Sequence, residues 1–192
     1  MTPHPPERRH LALHPATAEA LEPFGQILGR AAGAALTASP FYGSAVKTSH
    51  PVDFQSDETT ELTLCRLDRR PFEVRYMERH FLHTQTFIPL GGKPFIAVLA
   101  PPTAGELPDL DEVRAFRFDG TAGLTLRKGT WHEFPFAEED GTDLIVVLRR
   151  DTMRDLKADR VKRSDYGDEA RGPDLDKKNL AARSGILFTI KC

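Results

Sequence analysis

Residues 78–92 read ERHFLHTQTFIPLGG, from Glu78 to Gly92. Glu78 and His80 are two residues apart, so on extended chain their side chains share one face. Thr84 to Pro89 (TQTFIP) reads as the next strand, and Gly91-Gly92-Lys93 turns the chain into Phe95 to Ala100 (FIAVLA). The same pattern continues outward in both directions. Glu61 to Leu67 alternates with Leu62, Leu64 and Arg66 on one face, and Phe72 to Met77 alternates with Phe72, Val74 and Tyr76 together. Arg114 to Phe118, Leu124 to Arg127 and Leu144 to Arg149 follow as further short strands. Strands of this length and spacing, separated by Gly, Pro and Asp turns, predict a mainly β fold, an antiparallel sandwich or barrel. The chain lacks the βαβ alternation of a doubly wound sheet.

Composition narrows the function classes. The chain has 192 residues, with 26 Lys+Arg against 28 Asp+Glu and a formal net charge of −2. That balance argues against a nucleic-acid partner, which calls for a basic excess. No apolar run approaches the roughly 20 residues that span a bilayer. The N-terminus, MTPHPPERRHLALHP, carries prolines and charges where a signal peptide has its apolar region. Two cysteines, Cys65 and Cys192, make no disulfide framework. The expected compartment is the cytoplasm, with reduced thiols.

Three segments are expected. Residues 1–10, with Pro3, Pro5 and Pro6, read as a disordered N-terminus. Residues 11–153 read as the β body, entered through a short helix at Thr17 to Glu22 with Thr17 as its cap. Residues 29–40 read as a Gly/Ala-rich loop. Residues 154–192 read as a charged C-terminal extension: 18 of the 42 residues after position 150 are charged, against 36 of the first 150. Within it, Asp174 to Arg183 reads as a helix capped by Asp174, and Gly185 to Ile190 as a strand. This extension is expected to pack back on the body or on a partner chain.

His80 and His132, singled out by the two motif resemblances given below, are the acid–base candidates, since imidazole titrates near neutral pH. Glu78 can act as a base if burial raises its pKa, as a metal ligand, or as the group that orients His80. Gln85 offers an amide hydrogen or a weak oxygen ligand. Two imidazoles, a carboxylate and an amide oxygen (His80, His132, Glu78, Gln85) suit Ni, Mn, Zn or Fe, and a metal-free site is equally open. Cys65, in mid-strand, reads as a small buried residue and Trp131 as core. His83 is expected to point away from His80, and His4, His10, His14 and His50 receive no role. No phosphate loop, nucleophile elbow or CxxC pair occurs.

Glu78, His80, Gln85 and Gly92 stand where the first cupin motif has His, His, Glu and Gly, and Gly129 to His132 (GTWH) resembles the core of the second. More narrowly, Glu78-Arg79-His80, Thr84-Gln85, Phe87-Ile88-Pro89, Trp131-His132 and Pro135-Phe136-Ala137 resemble the ureidoglycolate lyase family over about residues 11–153. Phe81 replaces the family's usual Pro. The segment Phe41 to Thr48 keeps Gly43 and Ala45 but has Phe41 for Asn and Lys47 for Arg. The resemblance implies a cupin-type antiparallel β-barrel, a homodimer, and cleavage of ureidoglycolate to glyoxylate and urea. With the resemblance, Glu78, His80 and His132 are the expected catalytic residues and Gln85 a substrate contact; Lys47, at the family's Arg, and Arg66, whose apolar strand neighbours suggest an inward guanidinium, are the candidates for the substrate carboxylate. A related lyase or isomerase on another small acid, or a small-molecule-binding cupin without activity, are the alternatives.

Overall fold

A computed structural model describes residues 5–157 and 162–191. Its main body is two β-sheets facing each other. One runs, in spatial order, through Lys162–Ser164, Gly167–Arg171, Leu175–Asn179, Tyr76–His80, Trp131–His132, Phe95–Ala100, Arg114–Phe118 and Leu13–Pro15, with Phe136–Ala137 also pairing on Phe95–Ala100. The other runs through Gly25–Leu28, Gly123–Leu126, Gln85–Leu90, Thr142–Arg149 and Thr60–Leu67. The fold is mainly β, and the sheets do not close into the continuous barrel expected.

The Phe95–Ala100 strand explains the layering. All six of its residues are buried. Phe95, Ala97 and Leu99 join Phe87, Phe116, Leu124, Leu144 and Val146 in the core between the two sheets. Ile96, Val98 and Ala100 face the opposite way, into a second cluster with Met77, Trp131, Phe136, Leu180 and Phe188. A strand covered on both faces reads as a continuous apolar run rather than an alternating one.

Two segments correct the sequence reading. Glu7–Leu11, of which residues 7–10 fall in the expected disordered N-terminus, is a strand paired in parallel with Ile186–Ile190, which also pairs with Glu73–Val74. The four residues before Pro5 lie outside the described residues. The extension is not peripheral: Leu175–Asn179 inserts beside Tyr76–His80, placing Leu175 opposite His80 and Lys177 opposite Glu78. Ile186, Phe188 and Ile190 cover the outer face of the large sheet. Fully burying such side chains contributes roughly 1.5–3 kcal/mol each, so the final strand is structural.

The helix expected at Asp174 to Arg183 divides. Leu175–Asn179 is strand, and the helix is Leu180–Ser184, capped by Asn179, whose side chain accepts from the Ala182 N–H at 3.1 Å. The lysines of Leu175–Asn179 suit a helix equally well, and pairing with Tyr76–His80 decides the outcome. The early helix forms as Ala18–Leu21, with the Thr17 hydroxyl accepting from the Ala20 N–H at 3.1 Å. The Gly/Ala-rich stretch contributes Thr37–Ser39 to an exposed hairpin with Gly43–Thr48.

Candidate active site

The Tyr76–His80 strand lies between Trp131–His132 and Leu175–Asn179, and His132 is directly opposite Glu78. The Gly129 N–H donates to the His80 carbonyl at 2.7 Å, tying the GTWH turn to the end of that strand. Gly129 has φ +81°, a conformation that glycine adopts readily. Two-residue alternation puts Glu78 and His80 on the inner face and Arg79 on the other.

Arg79 is buried. Its Nε and Nη2 donate to Asp176 Oδ2 at 3.1 and 2.9 Å, and its guanidinium lies 4.1 Å from the Trp131 ring centroid. Lys178 Nζ approaches the other Asp176 oxygen at 3.1 Å. The motif strand and the C-terminal strand are thus clamped by a buried charge network, with Trp131 in the core as expected. Trp131 Nε1 donates to Thr103 Oγ1 at 2.9 Å.

On the inner face a cavity of about 200 Å³ is lined on its polar side by Glu78, His80, Gln85, Thr63, Cys65 and Thr152. Phe134, Val146, Leu148 and Leu175 supply its apolar side. His132 sits beside it, lining a second recess that shares Glu78 and Phe134 and includes Lys177. Glu78 Oε1 lies 3.6 Å from His132 Nε2 and 4.0 Å from His80 Nε2. Opposed to the cavity, His132 Nδ1 meets the Thr130 carbonyl at 3.1 Å. If Nδ1 carries the proton for that bond, Nε2 can face the Glu78 carboxylate favourably only with a proton or cation between them.

Burial acts to raise the Glu78 pKa, but His132, His80 and Lys177 outweigh it and hold the group at about 2. Glu78 is therefore a permanent anion at neutral pH, which suits a counter-ion or ligand better than a base of raised pKa. Burial pushes the His80 pKa down, against the pull of Asp174 and Glu78. Gln85 Oε1 and His132 Nε2 are buried without a hydrogen-bond partner among the described residues, as are both ring nitrogens of His80. Each such orphan costs roughly 1–3 kcal/mol unless a bound species satisfies it. Glu78, His80 and His132 present ligand atoms within 4.8 Å of one another. With Gln85 they fit a divalent cation chemically.

The two expected carboxylate-binding cations are elsewhere. Arg66 points outward and pairs with Asp143 at 2.8 Å, its side chain 70% exposed. The face that it shares with Leu62 and Leu64 is the outer one, and Thr63, Cys65 and Leu67 point in. Lys47 lies on the exposed Gly43–Thr48 strand and does not line the cavity.

Sequence reasoning missed His83 and Asp174. Regular alternation would aim His83 away from His80, but the strand ends at His80 and the chain bends through Phe81 and Leu82. Asp174 makes that bend: its Oδ1 accepts from the Phe81 and Leu82 N–H groups at 3.1 and 2.7 Å. His83 consequently swings back until its ring centroid is 4.7 Å from that of His80. The absence of Pro at position 81 was the available signal, since a second N–H is there for Asp174 to hold. Burial acts to raise the Asp174 pKa, but His80, His83 and the Thr152 hydroxyl, which donates to Oδ2, hold it far below the usual carboxylate range.

A buried carboxylate between two imidazoles, beside a small cavity, is the equipment of an acid–base enzyme for a small molecule. Comparison with known proteins sharpens this class. The ureidoglycolate lyase family model matches residues 8–165, and the chain belongs to that family. It is 33% identical over 146 residues to the ureidoglycolate lyase of Pseudomonas putida (strain W619), covering 73% of this chain and 85% of that protein. It is 31% identical over 147 residues to that of Azotobacter vinelandii, covering 73% of this chain and 86% of that one. A solved dTDP sugar isomerase from Desulfovibrio desulfuricans aligns over 65% of this chain and 76% of that chain at 19% identity, with a TM-score of 0.37. The family match ends before Asp174 and Asp176, so the residues that clamp and bend the motif strand lie beyond it.

Proposed function

We propose that this chain cleaves ureidoglycolate to glyoxylate and urea, as a carbon–nitrogen lyase in purine and allantoin breakdown. The observation that carries the reading is Glu78 set between His80 and His132 within a chain of this family. The reaction is collapse of a carbinolamide. A base removes the hydroxyl proton, the carbonyl forms, the C–N bond breaks, and the leaving ureido nitrogen gains a proton. One group must accept a proton and another must donate one.

His80, favoured as the neutral imidazole by burial, accepts the hydroxyl proton. His132, whose Nε2 faces the Glu78 carboxylate, delivers a proton to the leaving nitrogen. Glu78 stays ionised and stabilises whichever imidazole is charged. Gln85 is oriented to hydrogen-bond the substrate through its buried amide. When a divalent ion such as Ni, Mn, Zn or Fe is bound by Glu78, His80, His132 and Gln85, it supplies Lewis acidity for the oxygen that becomes negative. The apolar wall from Phe134 to Leu175 limits water at the reacting carbon.

We further place the chain in the cytoplasm as a homodimer. Leu62 and Leu64 are 70% and 61% exposed on the outer face of the edge strand, beside Val147 and Ile145. A second copy covering this face would remove that apolar surface from water. Among the described residues, no helix is long and apolar enough to cross a membrane.

Incubation with ureidoglycolate tests the chemistry. Glyoxylate and urea should appear in equal amounts, faster than in the uncatalysed control. Ammonia in place of urea, or no glyoxylate with and without added divalent metal, would refute the lyase reading.

A further inference from the structure

We propose that this chain has a cation site of its own on the opposite edge of His80, formed by His80 Nδ1, His83 Nδ1 and Asp174 Oδ2, for a small divalent transition-metal ion. His80 Nδ1 lies 3.4 Å and His83 Nδ1 3.0 Å from the same Asp174 oxygen, and all three ligand atoms fall within 4.8 Å. Ligands about 2.0–2.2 Å from a tetrahedral ion stand about 3.3 Å from one another. The two approaches are of that size.

All three side chains are buried, with His83 fully so. Both Nδ1 atoms pair with the Asp174 carboxylate without meeting hydrogen-bond geometry, and none of the four ring nitrogens of the two histidines has a hydrogen-bond partner among the described residues. Two imidazoles and one carboxylate are a donor set for Zn, Fe or Mn. The carboxylate itself is already fixed. Its other oxygen takes the Phe81 and Leu82 N–H groups, and the Thr152 hydroxyl donates to the ligating oxygen. Such fixed partners orient a ligand before the ion arrives.

This position is distinct from the Glu78, His80 and His132 group, which uses the Nε2 edge of the same ring. It has a use in the reading above, on which this one point rests. The cavity that His80 and Thr152 line has no Lys or Arg among its lining residues. A cation at Asp174 would supply the positive charge that Arg66 and Lys47 do not bring to a carboxylate substrate.

The test needs no substrate, so its result is separate from the lyase reading. The full chain is stripped with a chelator and titrated with Co²⁺, followed by its visible absorption, then with Zn²⁺ in competition. The wild type should bind one Co²⁺ at this site. His83→Ala and Asp174→Asn should weaken binding at least tenfold, and His132→Ala, which removes a ligand of the separate Glu78 group, should leave the affinity of this one Co²⁺ within about threefold. His83→Gln, which keeps the bulk and polarity of the side chain, should repeat the loss with an unchanged unfolding temperature in metal-free buffer. No Co²⁺ binding at micromolar concentrations would overturn the proposal. So would binding lost in His132→Ala and kept in both His83 variants, or lost equally in all of them.

Discussion

The two edges of His80 have different origins. Its Nε2 edge faces Glu78 and the neighbouring His132, carried by two short motifs that lie in the family-matched region. Its Nδ1 edge faces His83 and Asp174, one set by a bend and the other delivered by a strand from the far end of the chain. Local spacing determines the first edge. The second depends on sheet pairing between residues almost a hundred positions apart. The difference shows that one side chain can be placed by a motif and held by a segment outside it.

Substitutions can pull the two edges apart. The largest effect belongs to the motif edge: His132→Ala should lower glyoxylate formation by roughly 10²–10⁴-fold, the range for loss of a positioned acid or base, as measured by steady-state kinetics. Breaking the clamp between the halves comes next. Arg79→Ala leaves Asp176 buried with a lost partner and should cost about 3–5 kcal/mol in urea unfolding. Phe188→Ala empties part of the outer core and should cost a similar amount, about 3–5 kcal/mol. Equal stability of either variant and the wild type would mean that the C-terminal strands are not integrated as described.

Acid should test the C-terminal half separately. Buried Glu169 is held at about 2, where Arg183, Ser164 and the Asn179 N–H outweigh the effect of burial. Its folded pKa lies below its unfolded value, so its contribution is complete above about pH 4.5 and is lost as pH falls toward 2. Glu169→Gln should flatten that part of the stability–pH curve. The smallest effect is expected at Arg66→Ala. Its pair with Asp143 is solvent-screened, so urea unfolding should not distinguish the variant from the wild type, and glyoxylate release should be unaltered.

Much of the first edge was legible in the sequence. Glu78 and His80 share a face because the Tyr76–His80 strand alternates; Phe72 and Val74 lie together in the outer cluster, but the strand breaks at Arg75, and Tyr76, expected with them, lies beside Glu78 instead. The turn at Gly91-Gly92 followed from glycines that have φ of +79° and +71°. Alternation alone, however, does not say which face is inside. Leu62 and Leu64 suggested that Arg66 pointed inward with them, whereas Thr63 and Cys65 line the cavity. Parity also fails where a strand stops, which is why His83 was missed. Asp174, Asp176 and Lys178 read as part of a helix in the charged extension, with Asp174 as its cap. Their buried partners Arg79, His80 and His83 become visible only when the Leu175–Asn179 strand is paired.

Glyoxylate release from ureidoglycolate by wild-type protein and by His132→Ala, matched in concentration and in unfolding temperature, is the most direct measurement. The account predicts wild-type release well above the uncatalysed rate and a fall of at least 100-fold in the variant. Equal rates in the two proteins would contradict it.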